Sequence, residues 1–149
     1  MSDSIICVVD IETDGPLIVT NSMLSFAAAA FNGDGGEIAS FSRNLHPLEN
    51  GQADPRVAAW WQTQPPDAWA EITRSPKAPA EAMADFAAWV RGLGGERLFA
   101  AYPLVFDAPW IDWYLRKFTD ATLCDPFRPA LFSAGRASTF PHMFKRSWA

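Results

Sequence analysis

A chain of 149 residues has room for one hydrophobic core, so residues 1–149 are expected to form a single domain. Hydrophobic residues make up 49% and charged residues 19%, which excludes disordered and fibrous chains, and 13% of the residues are aromatic rings to be packed or stacked on a ligand. The net charge of −5 argues against indiscriminate phosphate binding through a basic surface, although acids gathered around metal ions would themselves contribute to such a total.

The chain opens with Met1-Ser2-Asp3, without the basic region of a signal peptide, and no stretch reaches the roughly 18 apolar residues that span a bilayer, so a cytoplasmic protein is expected. Ile5-Ile6-Cys7-Val8-Val9 is apolar at every position and rich in β-branched residues, the pattern of a central strand covered on both faces. Met23 to Phe31, set between Asn21-Ser22 and Asn32-Gly33-Asp34-Gly35-Gly36, reads as a strand leading into a hairpin. Ile38 to Leu45 alternates partway and completes an antiparallel three-strand meander, after which His46 to Pro55 breaks the pattern.

Helices follow. The first begins at Arg56, is interrupted by Pro65-Pro66 and resumes through Trp69; a clearer one starts near Pro79, carries Met83, Phe86, Val90 and Leu93 on one stripe and stops at Gly94-Gly95. Arg97 to Ala101 reads as a short strand, and a helix from Asp107 places Ile111, Tyr114, Leu115 and Phe118 on one face. The order β-β-β-α-α-β-α implies an α/β fold, a mixed sheet flanked by helices. Cys7 and Cys124 are too few and too far apart for a disulfide framework, and without neighbouring histidines they make a poor zinc site.

The chemistry begins at Asp10-Ile11-Glu12. Strand side chains alternate, so Asp10 and Glu12 share a face at the end of a buried strand, where two carboxylates repel one another unless a divalent cation relieves them. Hard oxygen ligands select Mg²⁺ or Mn²⁺, ions that serve phosphoryl chemistry. The same two acids also fit a plain strand end, solvated ahead of the Asp14-Gly15-Pro16 turn. Asp107, opening the helix after the fourth strand, can reach the same sheet end, and equally reads as an N-cap with a proline just inside.

At these residues the chain resembles a family. Val9-Asp10-Ile11-Glu12-Thr13-Asp14-Gly15 looks like the first motif of the DEDD-type 3′-5′ exonucleases, proofreading exonucleases and exoribonucleases with a ribonuclease H-like fold. Ala101 to Asp107 followed by Trp113-Tyr114-Leu115 looks like the second. Small bacterial 3′-5′ exoribonucleases are the closer likeness, through Ser22 to Phe26, Phe41 to Leu45 and Ala59-Trp60-Trp61. The resemblance implies that Asp10, Glu12 and Asp107 are three of four catalytic acids holding two Mg²⁺ or Mn²⁺ ions at the terminal phosphodiester. It also implies that Thr13, Gly15, Ser22, Met23 and Leu24 line the pocket for the 3′ nucleotide, with Met23 or Leu24 wedging against its base or simply packing in the core. Phe106 and Trp110 are read as packing rather than stacking.

The family's third motif, a histidine or tyrosine a few residues before a fourth aspartate, has no counterpart here: no acid follows Asp125, and His142 is a weak candidate for the general base. The expectation is a chain that stops before that motif. Asp125 is read as a turn or cap residue, Asp112 as a solvated surface acid, and Lys145-Arg146 as a weak phosphate contact. Two functions follow: a metal-dependent exonuclease acting on single-stranded 3′ ends, RNA more than DNA, or an inactive module of the same fold that binds nucleic acid or protein. A missing final segment would leave apolar surface for a second copy, so a homodimer is expected.

Overall fold

The computed structural model describes residues 4–125 and 127–133. Its elements are β1 (Ser4–Thr13), β2 (Met23–Phe31), β3 (Glu37–Asn44), α1 (Pro55–Trp61), α2 (Pro66–Thr73), α3 (Pro79–Gly92), β4 (Glu96–Ala101), α4 (Leu104–Phe118) and β5 (Arg128–Ser133). They build one five-stranded sheet in the order β3-β2-β1-β4-β5. The first three strands form the antiparallel meander, and β4 and β5 add to it in parallel. The mixed α/β architecture is therefore as expected. The fifth strand was not; Pro129 lies within it, and a strand interrupted by proline survives at a sheet edge, where one row of N–H groups needs no partner.

Local signals explain the helix limits. Proline stands at the first turn of α1, α2 and α3, where its fixed φ suits the helix and its missing N–H costs nothing. Asp54 caps α1 by accepting the Arg56 N–H, and Gly94 and Gly95, both at positive φ, reverse the chain after α3. The last helix departs from expectation. It starts at Leu104, with Pro103 in the N-cap position, so Asp107 lies within its first turn and does not open it.

The core sits on one face of the sheet. Ile5, Cys7, Val9 and Ile11 of β1 pack with Phe26, Ala28 and Ala30 of β2 beneath Met83, Phe86 and Val90 of α3 and Trp110, Ile111, Tyr114 and Leu115 of α4. Phe26 and Phe86 meet edge to face at 5.1 Å, the favoured geometry for paired rings. Ile6 and Val8 point to the other face and are only half-buried, so β1 is not covered equally on both sides as its unbroken apolar run implied. A smaller cluster of Leu24, Trp61 and Ile72, with Val57 and Ala68, joins α1 and α2 to the start of β2.

Candidate active site

The site arises because β1 outruns its parallel neighbour. The last β1–β4 pair is Val8 with Ala100, whereas Asp10, Ile11 and Glu12 continue opposite Ala27, Phe26 and Ser25 of β2 alone. On the side that β4 has left, the chain passes through Tyr102-Pro103 into α4, whose first turn carries Asp107. The Ile11 backbone N–H, on the edge of β1 beyond the last β4 pair, acts on the Asp107 carboxylate and favours its charged form. Pro103 takes the N-cap position of α4, so Asp107 is not its N-cap.

Three acids converge here, and their electrostatics record it. Asp107 is 2% exposed. Burial and then the Asp10 charge push its carboxyl up to about 7, with the Ile11 and Asp107 backbone N–H groups pulling the other way. Glu12, half-buried, is pushed up to about 7 by burial, then by Asp10 and by Asp107. Asp107 Oδ2 is buried with no hydrogen-bond partner among the described residues. A buried, unpaired carboxylate oxygen beside two further acids is costly, and a divalent cation is the chemical species that satisfies all three at once. The donor set fits such an ion. Among the described residues, however, no three His, Cys, Asp or Glu side chains form a ready-made metal cage.

The loop after β1 is tied to this end of the sheet. Thr13 Oγ1 donates to the Gly15 carbonyl at 2.8 Å, and Asp14, nearly buried, accepts the Ser22 N–H at 2.6 Å; burial nevertheless raises its carboxyl above the ordinary range. Asn21 accepts the Leu17 N–H at 2.7 Å and donates to the Gln52 carbonyl at 2.6 Å. A Cβ on Gly15 would lie 2.3 Å from Asn21 Cγ, so only glycine fits there. Val19 is held at φ +80°, a strained conformation for a β-branched residue, and its side chain is exposed beside that of Leu17.

The remaining sequence-selected residues divide. Thr13 and Gly15 form the turn that follows Glu12 in the chain, whereas the side chains of Ser22, Met23 and Leu24 are taken up by packing. Ser22 Oγ accepts the Leu48 N–H at 3.0 Å, Met23 is fully buried in the main core, and Leu24 lies against Trp61 and Ile72. Trp110 is core, as expected. Asp125 sits in a turn with Thr122, and Asp112 is more than a solvated acid: its Oδ1 accepts the Leu123 N–H at 2.7 Å while Oδ2 binds Arg116, pinning the chain that leaves α4. His142, Lys145 and Arg146 lie outside the described residues. Sequence reasoning missed Tyr114, taken only as an apolar-stripe residue; its buried hydroxyl accepts the Met23 N–H at 2.8 Å. The available signal was that a buried tyrosine needs a partner for its oxygen.

A model of the Rv2179c-like 3′-5′ exoribonuclease domain matches residues 6–132. Among solved structures, E. coli exonuclease I in complex with a dT13 oligonucleotide superposes with a TM-score of 0.62 at 16% identity, over 76% of this chain and 24% of that one. The complex of the same enzyme with dA16 gives the same figures, and its zinc-bound complex with single-stranded DNA gives a TM-score of 0.63 over 78% of this chain. The chain thus spans about a quarter of the length of these enzymes, and at this identity the likeness establishes the fold alone. No significant match is found among curated protein sequences. With the family match running from β1 to β5 across all three acids, and with the exonuclease I fold, the chain belongs to the Rv2179c-like 3′-5′ exoribonuclease domain family, a group of 3′-5′ exonucleases built on a ribonuclease H-like sheet.

Proposed function

We propose that this chain hydrolyses nucleotides from the 3′ ends of single-stranded nucleic acid, RNA in preference to DNA, with Asp10, Glu12 and Asp107 holding Mg²⁺ or Mn²⁺. The observation that carries this reading is the buried Oδ2 of Asp107, without a hydrogen-bond partner among the described residues, beside Asp10, whose charge raises the proton affinity of both Asp107 and Glu12. Membership of a 3′-5′ exoribonuclease family supports both the direction of cutting and the choice of RNA, and implies dependence on a divalent metal. When bound, paired divalent ions supply an activated water and stabilise the leaving oxygen. The protein's part is to fix the ligands: the first turn of α4 carries Asp107, the β1–β2 ladder aligns Asp10 with Glu12, and the Thr13–Gly15 turn would provide a wall for the terminal nucleotide.

Among the described residues no side chain is assigned to a fourth ligand or to a general base. A second reading, a module that holds a 3′ end without cutting it, is favoured by the lack of a ready-made three-acid cage among the described residues. The two separate on 5′-labelled single-stranded RNA and DNA incubated with Mg²⁺ or Mn²⁺. Stepwise shortening by wild type, faster on RNA and lost in Asp10→Ala, is the expected result. Equal rates for the two proteins would overturn the enzyme reading. A homodimer belongs to the same proposal, supported by the exposed apolar side chains of Leu17, Val19, Ile38 and Val105; a monomer in light scattering at tens of micromolar would overturn that part.

A further inference from the structure

We propose that Trp60 and Trp69 form a stacking platform for bases of the single strand that lie upstream of its 3′ terminus. The inference rests on the proposed exonuclease reading for the identity of the ligand, and on different residues for its evidence. Trp60 is 50% and Trp69 43% exposed, on two successive helices, and the ring of Trp61 links them, with centroids 4.8 Å from Trp60 and 5.4 Å from Trp69. Trp61 itself is buried against Leu24 and Ile72, so the exposed pair stands on a fixed base. Its indole N–H is buried without a hydrogen-bond acceptor, a polar group in the wall that the described residues leave unsatisfied.

The platform is built at the end of the sheet that carries the acids. The Asp54 N–H, immediately before α1, donates to the Asp14 carbonyl at 2.8 Å, only two residues beyond Glu12. Leu24, which supports Trp61, precedes Ser25, the cross-strand partner of Glu12. On the far side, Asn44 at the end of β3 donates to the carbonyls of Glu71 and Arg74 and anchors α2. A strand whose terminal phosphodiester lies at the acids therefore has its preceding nucleotides within reach of α1 and α2.

Chemistry selects a base as the occupant. Indole faces stack on any nucleobase, whatever the sequence. The nearby cations are already engaged: the Arg56 fork, one turn before Trp60, is bound to Asp54 and holds that carboxyl down to about 2, and Arg74 is paired with Glu71. With a net charge of −5 as well, attraction by counterion release is weak and stacking has to provide the affinity.

The experiment measures binding of 5′-fluorescein-labelled rA12 and dA12 to the full chain in EDTA, by anisotropy, without any need for turnover. Wild type should bind both with a shallow salt dependence. Trp60→Ala and Trp69→Ala should each weaken binding about tenfold, equivalent to ~1.4 kcal/mol, and Trp60→Phe should recover most of the loss. Unlabelled rA12 should quench indole fluorescence, less so in a Trp60→Phe/Trp69→Phe protein, a readout that holds even if an alanine variant folds poorly. Undiminished affinity in the alanine variants, equal competition by a blunt duplex, or no quenching in wild type would each overturn the platform. Failure of metal-dependent hydrolysis with normal binding in EDTA would overturn the exonuclease reading and leave the platform standing.

Discussion

Asp107 is 2% exposed, yet its Oδ2 has no hydrogen-bond partner among the described residues, while the Ile11 N–H favours the charged form of the carboxyl. In the proposed site that oxygen is the one offered to a metal ion. Asp107→Asn keeps the shape and removes the charge, so it should lower metal-dependent hydrolysis by more than the roughly 10–100-fold that loss of a ligand's outer partner costs. Steady-state rates on labelled RNA check this, and a rate within a factor of two of wild type would remove Asp107 from the site. Tyr114 makes the complementary case, a polar atom needed for structure. Its hydroxyl satisfies the Met23 N–H just where the β1–β2 register shifts between Glu12 and Thr13 and that N–H is buried. Tyr114→Phe leaves the donor unpaired and should cost about 1–3 kcal/mol in urea unfolding, with little change in m-value.

At the scale of elements, the turn between β1 and β2 sets the distance from the acids to everything the substrate would touch. Gly15 is pressed against Asn21, and Asn21 in turn holds both Leu17 and Gln52. Gly15→Ala should therefore destabilise the chain by about 1–3 kcal/mol, seen as a lower thermal midpoint, because the side chain it displaces is the hub of the loop. Gly36→Ala, where the nearest Cβ contact is 3.3 Å to the Asn32 side chain, is a useful comparison and should cost less. Much of this organisation was legible in the sequence: apolar runs located β1 to β4, proline and glycine punctuation located the helices, and Asp10-Ile11-Glu12 marked a carboxylate pair on one face. What was not legible depended on tertiary partners. A short run containing Pro129 gives no strand signal until a parallel neighbour accepts it, and an aspartate followed by a proline at 109 reads as a cap until the helix is seen to start at Leu104 behind Pro103. Met23 and Leu24 could face substrate or core by pattern alone, and the bulge after Glu12 together with α1 and α2 decided for the core.

Across the whole molecule, the acids link folding to pH and, on the proposed assignment, to metal. Glu12 and Asp107 rise from ordinary values of 4.5 and 3.8 to about 7 in the fold. Between those limits the native chain keeps protons that the unfolded chain has lost, so the unfolded state binds fewer and stability declines as pH rises. Without a divalent ion, the thermal midpoint should therefore fall from about pH 5 through pH 7 and then level off as far as these two groups are concerned. Asp14, also raised, acts in the same direction, whereas Asp54, held down to about 2, has made its contribution below this window. A divalent cation held by these carboxylates, as proposed, would displace the retained protons, so its stabilising effect should be small at pH 5 and grow to a plateau near pH 8. Melting curves in EDTA and in Mn²⁺ at each pH measure both trends, and the Glu12→Gln protein supplies the control. With one repelling charge removed, it should melt higher than wild type in EDTA at pH 8 and gain less from Mn²⁺. An EDTA midpoint that rises from pH 5 to 8, or a Glu12→Gln protein that melts lower than wild type at pH 8, would mean that these carboxylates are not held against one another as the fold places them.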